Sequence, residues 1–290
     1  MMARRVLVAA TTLLTLGVLV AGVSVAWAGG PTRCEGPEGA ITIKGNVIAG
    51  PGCDLSGTTV EGNVTVEPGG SLKTKGKTET TITGNVQSNN ATEIVLLAGG
   101  EIGGNVQIQG TTGESFLENS KVRRNVTIQN SVASRLELNL EAVGGNVQLM
   151  NNTGSGSKVH VGVFRSSVGG NVLVGNNTLI GTISNEVGIF GNETNSSHTG
   201  SIAGNAQVYN NSAAGGSESN EVFAESDQVG VNLEVSNNTS DGPVGSLNAV
   251  EVGANTIRNN LLCQTNKPPP TDTREGENHA KKKTGQCEQL

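Results

Sequence analysis

The chain has 290 residues, and 19 Lys and Arg stand against 25 Asp and Glu, a formal charge of −6. That balance lacks the basic footprint of a nucleic-acid binder and offers no attraction to an anionic membrane. Forty-two glycines accompany one Trp, one Tyr and four Phe, which excludes a broad core built on aromatic side chains and points to a narrow aliphatic one.

The first element in chain order is an export signal. Arg4 and Arg5 precede an apolar run, Val6 to Val25, which ends on the small-x-small sequence Ala26-Trp27-Ala28. A signal peptidase cuts after such a sequence, and the Thr, Ser and Gly in the run speak against a retained membrane anchor. No Cys follows directly, which argues against a lipoprotein anchor. Residues 1–28 are therefore expected to be removed. The mature chain then begins near Gly29 and, without Arg4 and Arg5, carries a charge of −8. Its expected location is secreted, extracellular or cell-envelope, with no membrane contact after cleavage.

Residues 29–265 are dominated by a repeat. The phrase apolar-x-Gly-Asn-Val-x-apolar places Asn at Asn46, Asn63, Asn85, Asn105, Asn125, Asn146, Asn171, Asn205, Asn232 and Asn260. The gaps run 17, 22, 20, 20, 21, 25, 34, 27 and 28 residues, and Gly precedes the Asn except at Arg124, Val231 and Asn259. Around each Asn the apolar residues fall two apart, as in Val106-Gln107-Ile108 and Val126-Thr127-Ile128. That is the period of a strand with one buried face. A unit near twenty residues holds three short strands and three turns, too few for a helix-containing solenoid repeat. The expected fold is an all-β, single-stranded right-handed parallel β-helix of about ten coils, stacked at the ~4.8 Å strand spacing.

In the repeat phrase, Gly is expected to permit the sharp bend between strands, and Asn to stack inside the turn as a structural amide ladder. A second polar turn follows the strand at Asn89-Asn90, Asn151-Asn152, Asn176-Asn177, Asn210-Asn211 and Asn237-Asn238. Ligand-binding groups or glycosylation acceptors are the rival reading, but the period of these residues matches the coil. From Asn146 onward the coils lengthen. Loops are expected at Asn176 to Gly200, Ser212 to Asp227 and Ser236 to Gly245, where solenoids commonly place function.

All four cysteines lie in the mature part. Cys34 and Cys53 are one coil apart, within disulfide reach, and Cys263 and Cys287 would tie a polar tail, residues 266–290, onto the last coil. Metal binding is not supported by any Cys-x-x-Cys spacing or His pair, and no cofactor is expected.

The phrases Gly62-Asn63-Val64-Thr65-Val66 and Gly104-Asn105-Val106-Gln107-Ile108, with the endings Asn260-Leu261-Leu262-Cys263 and Gly285-Gln286-Cys287, resemble a group of exported bacterial Gly-Asn-Val repeat proteins common in actinobacteria. The segment Lys267-Pro268-Pro269-Pro270-Thr271 resembles the ending of that group as well. The resemblance covers nearly the whole mature chain. It implies a β-helix in the envelope or outside the cell and supplies no activity. More distantly the repeat is similar to the pectin-lyase-like β-helix and to bactofilin repeats.

Catalytic patterns are sparse. Four Asp occur, Asp54, Asp227, Asp241 and Asp272, none at matching positions in neighbouring coils. Glu101, Glu118, Glu137, Glu141 and Glu234 fall at differing offsets from the repeat Asn, which leaves Glu221, Glu225 and Asp227 as a trio that long loops could assemble. Gly-Gly-Asn at 103–105, 144–146 and 169–171 lacks the carboxylate of calcium-binding solenoids. His160, His198 and His279 are far apart, and His160, between Val159 and Val161, is expected to point outward into solvent. No nucleophile elbow occurs. The scarcity of aromatics weakens a lectin reading. The outward row Thr65, Gln87, Gln107, Thr127, Gln148, Leu173, Gln207 and Glu234 is too irregular for ice binding.

The leading expectation is a non-catalytic structural or adhesive protein whose partner is a cell-wall or extracellular polysaccharide or protein. The alternative is a polysaccharide-active lyase or hydrolase with its site in the long C-terminal coils. Two carboxylates and a base gathered in one groove would favour the enzyme, and carboxylates spread apart would favour the scaffold.

Overall fold

A computed structural model describes residues 30–75, 79–97, 99–139, 142–191, 200–272 and 276–290. The expected signal segment, His198 and Glu141 lie outside these. The chain is a parallel β-helix: strand follows strand in coil after coil, and every registered pairing is parallel. Two strands of each coil belong to one 21-stranded sheet that bends at the repeat Asn, and a third belongs to a nine-stranded sheet. From Val132–Ala133 onward a five-stranded sheet is added between them, with Thr153–Gly154, Thr178–Leu179, Ser212–Ala214 and Thr239–Asp241.

The alternation seen in the sequence sets which side chains face inward. Val47, Val64, Val86, Val106, Val126, Val147, Val172, Ala206, Leu233 and Leu261 form one buried column, in register from coil to coil. Each aliphatic side chain buried in this way contributes about 1.5–3 kcal/mol. A coil alone has nothing to bury against, so the contribution exists only in the stack.

The repeat asparagines hydrogen-bond to one another. Each Nδ2 donates to the Oδ1 of the Asn one coil earlier, from Asn63 to Asn46 at 3.2 Å through to Asn260 and Asn232 at 2.9 Å. This ladder does not lie inside the turn, however. Its members are exposed or half-exposed. Gly45, with φ of 106°, serves the bend expected of it, but the Gly of later coils serves a different purpose. A Cβ on Gly104 would stand 2.4 Å from Asn85 Oδ1, and one on Gly170 2.5 Å from Asn146 Oδ1. Glycine is needed there because the coil beneath comes so close.

The buried ladder is the second one. Asn151, Asn176, Asn210 and Asn237 take left-handed backbone angles, with φ between 54° and 56° except 52° at Asn210. Each thereby turns its successor inward. Asn152, Asn177, Asn211, Asn238 and Asn266 then bond amide to amide at 3.0–3.1 Å, and each also donates to a backbone carbonyl.

Two disulfides, Cys34–Cys53 and Cys263–Cys287, close the first and last coils. The segment expected as a polar tail adds a further level: His279–Gly285 is a strand paired in parallel with Thr256–Gln264. The lengthened coils also differ from expectation. Among the described residues, part of the added length extends strands, giving Lys158–Phe164, Ser184–Phe190, Ser219–Glu225 and Leu247–Gly253 at seven residues each. Residues 192–199 are outside the described set.

Candidate functional site

The long strands create a face that the short coils lack. Arg135–Asn139, Lys158–Phe164, Ser184–Phe190 and Ser219–Glu225 lie side by side, and their alternate residues point out of the stack. Register assigns these to rows running along the helix axis. The first row is Arg135, His160, Glu186, Glu221 and then Ala249. The second is Glu137, Gly162, Gly188, Phe223 and Glu251, and the third is Asn139, Phe164, Phe190, Glu225 and Gly253. Their members on the strands from Arg135–Asn139 through Ser219–Glu225, other than the two glycines, line a groove of about 690 Å³, to which Arg165 also contributes.

The glycines of the middle row make room for aromatic rings. A Cβ on Gly162 would meet the Phe164 ring at 2.9 Å, and one on Gly188 would meet the Phe223 ring at 3.0 Å. Gly188 also has φ of 154°, where L side chains are strained. The rings of Phe164 and Phe223 stand 5.9 Å apart, and those of Phe190 and Phe223 6.3 Å apart, edge to face. Spacings that close are contact packing, so the rings form a wall and leave no cage between them. Phe116, one strand further along the second row, lies 3.2 Å beneath the Arg135 guanidinium. Thus all four phenylalanines of the chain sit on this one face.

The polar groups are paired as well as clustered. Arg135 Nη2 donates to Glu137 Oε1 at 2.6 Å, which compensates a carboxylate only 6% exposed. His160 Nδ1 lies 3.3 Å from Glu186 Oε2. That hydrogen bond raises the imidazole above its usual range against the opposing effect of burial, with the Glu186 and Glu137 charges adding to the rise and Arg135 lowering it. His160 does point outward, as its alternation implies, but it is a half-buried partner of a carboxylate and not a solvated surface residue. Asn139 Oδ1 at the groove edge is shielded from solvent and accepts no hydrogen bond among the described residues.

Several sequence candidates fall elsewhere. Glu221 and Glu225 reach the groove, on a strand and not on the loops expected to assemble them, while Asp227 turns into the stack and is fully buried. Burial alone pushes the Asp227 carboxyl well above the usual carboxylate range. Glu101 pairs with Arg123 and Lys121, and Glu234 accepts from Gln207, both on other faces. Asp54 accepts from the Ser56 amide in a local turn. Tyr209 contacts Met150 away from the groove. No group of three or more His, Cys, Asp or Glu that could hold a metal occurs among the described residues, and no helix among them is long and apolar enough to cross a membrane.

Sequence reasoning missed Glu186 altogether. Its signal was present in the repeated quartet Ser184-Asn185-Glu186-Val187 and Ser219-Asn220-Glu221-Val222, which stands in register on adjacent strands. Beneath the quartet, Asn185, Asn220 and Asn248 form a third short amide column that fixes the strands' register. No protein-family model, curated protein or solved structure matches the chain.

Proposed function

We propose that this protein is an exported, disulfide-stapled β-helix whose rigid stack serves as an adhesive support and whose binding site is the groove on the long-strand face. Its ligand is a neutral or amine-bearing saccharide chain of the envelope or the extracellular matrix. The observation that carries this reading is the placing of three of the four phenylalanines, in a chain so poor in aromatics, along one groove fringed with polar groups, with the fourth, Phe116, on the same face beneath Arg135. An apolar wall with a few convergent polar side chains is what a ligand with one apolar and one hydroxylated face requires. Carboxylates outnumber guanidiniums there, and Arg135 is already committed to Glu137, so an acidic polysaccharide is disfavoured. Export is supported by the residue 1–28 pattern and by two disulfides, which persist in oxidising compartments.

Affinity electrophoresis of the mature protein through gels containing a neutral glucan, a galactomannan, chitosan or polygalacturonate tests this. Retardation is expected with at least one of the first three, not with polygalacturonate, and is lost in Phe190→Ala. Free migration in all four gels, or retardation that Phe190→Ala leaves unchanged, contradicts the proposal.

A further inference from the structure

We propose, resting on the saccharide reading of the groove, that Glu186 and Glu221 are the paired carboxylates of a retaining glycoside hydrolase acting on the bound chain. The two residues face each other in register on neighbouring parallel strands. Parallel strands lie about 4.8 Å apart, so side chains leaving them in the same direction keep about that separation. Retaining hydrolysis needs two carboxyl groups about 5–5.5 Å apart, whereas inversion needs about 6.5–9.5 Å to admit a water between them. The strand spacing of the row lies close to the retaining distance and below the inverting one. The aromatic wall lies further along the same strands, at Phe223 two residues beyond Glu221 and at Phe190 four residues beyond Glu186, where it can hold a sugar ring across the pair.

The surroundings divide the roles. His160, one strand further along the row, places Nδ1 3.3 Å from Glu186 Oε2 and favours the ionised carboxylate. Glu186, beside His160, is therefore assigned the role of nucleophile, and Glu221 that of acid–base group. Other charges facing the pair are the Arg135–Glu137 ion pair, Arg165, and Glu225 and Glu251 on the far rows. Glu221 then passes its proton to the glycosidic oxygen as the bond from that oxygen to C1 breaks and a Glu186 oxygen bonds to C1. The freed alcohol leaves. Water next gives a proton to the Glu221 carboxylate as its oxygen attacks C1 and the ester to Glu186 breaks. Both side chains return to their starting state, and the net change is addition of water across one glycosidic bond. His160 is a positioning residue, and Asn139 Oδ1 offers an acceptor for a sugar hydroxyl at the groove edge.

The test incubates the mature protein with the same neutral glucan, galactomannan, chitosan and polygalacturonate, and follows new reducing ends and the anomer first formed by proton NMR. Reducing ends of retained configuration are expected from a polymer that the groove binds. Glu221→Gln should lower the rate roughly 10²–10⁴-fold, as loss of an acid–base group does, without loss of gel retardation or of thermal stability. Azide should restore bond cleavage in Glu186→Ala by forming a glycosyl azide of inverted configuration. His160→Gln should move the acidic limb of the pH–rate profile upward, because Glu186 loses the cation that keeps it ionised. A polymer that is retarded but never cleaved overturns catalysis and leaves the binding reading intact. An inverted first product, or full activity in folded Glu186→Gln, overturns the assignment of the pair. Absence of both binding and cleavage removes the binding reading too.

Discussion

At position 227 an inner column of the stack holds an acid where its next two levels hold amides. Asn255 and Asn278 occupy those levels, bonded at 2.8 Å, and the Asp227 amide donates to Asn255 Oδ1 at 3.0 Å. An amide at 227 would continue the column, whereas Asp227 Oδ2 is buried without a partner among the described residues. Because burial raises this carboxyl, the folded protein retains a proton that the unfolded chain releases near pH 4. Folding is therefore opposed increasingly as pH rises from about 4, and the opposition is absent below both pKa values. Asp227→Asn is expected to stabilise the protein more at pH 7 than at pH 3, where the carboxyl is neutral in the folded and the unfolded chain alike and only the missing hydrogen bond separates the two variants. Denaturant midpoints at the two pH values check this, and an equal effect at both would show that the charge is not responsible.

Ladders and strands are the next scale, and the two amide ladders should differ in strength although their bonds are of similar length. Asn177 is fully buried, bonds Asn152, Asn211 and the Leu149 carbonyl, and leaves several groups unpaired if removed. Asn177→Ala is expected to cost about 1–3 kcal/mol, while Asn105→Ala in the half-exposed ladder, where water can substitute, costs about 0.5–1 kcal/mol. Urea unfolding of the two variants measures the difference, and the reverse order would contradict the burial argument.

The strands and the first ladder were legible in the sequence because each coil spells its own alternation around Gly-Asn-Val. The groove was not, because it exists only in register between coils of unequal length. His160, Glu186 and Glu221 share one row, yet they follow their repeat asparagines by 14, 15 and 16 residues. The turn insertions shift each offset, so counting from the Asn scatters residues that pairing brings together. For the same reason the extra residues read as loops: Ser, Asn and Gly between strands look like turn chemistry until Asn185, Asn220 and Asn248 are seen to bond across coils. The exposure of the first ladder was also beyond the sequence, since periodicity tells which residues align and not which side of the turn they occupy.

For the whole molecule, the question is how a stack with two open ends stays finite. The last described strand, His279–Gly285, pairs among the described residues with Thr256–Gln264 alone and carries Lys281, Lys282 and Lys283. Lysines on an edge strand oppose the approach of another sheet edge. The first strand, Thr32–Cys34, is locked by Cys34–Cys53 and bears Arg33, which Glu35 and Glu67 engage at 2.5 and 2.6 Å. Replacing the three lysines with Thr is expected to produce end-to-end association visible as faster sedimentation at high protein concentration. A variant that sediments as the parent protein does would show that shape alone closes the end.

The functional account rests on the groove, and the phenylalanines allow it to be addressed directly. Mature protein made with fluorinated phenylalanine would give four fluorine resonances, all from this face. Titration with an oligosaccharide of whichever polymer retards the protein is predicted to move the Phe164, Phe190 and Phe223 lines in a saturable way, with a smaller shift for Phe116 beneath Arg135. Binding that saturates while all four lines stay in place would put the ligand on another face and contradict the central claim.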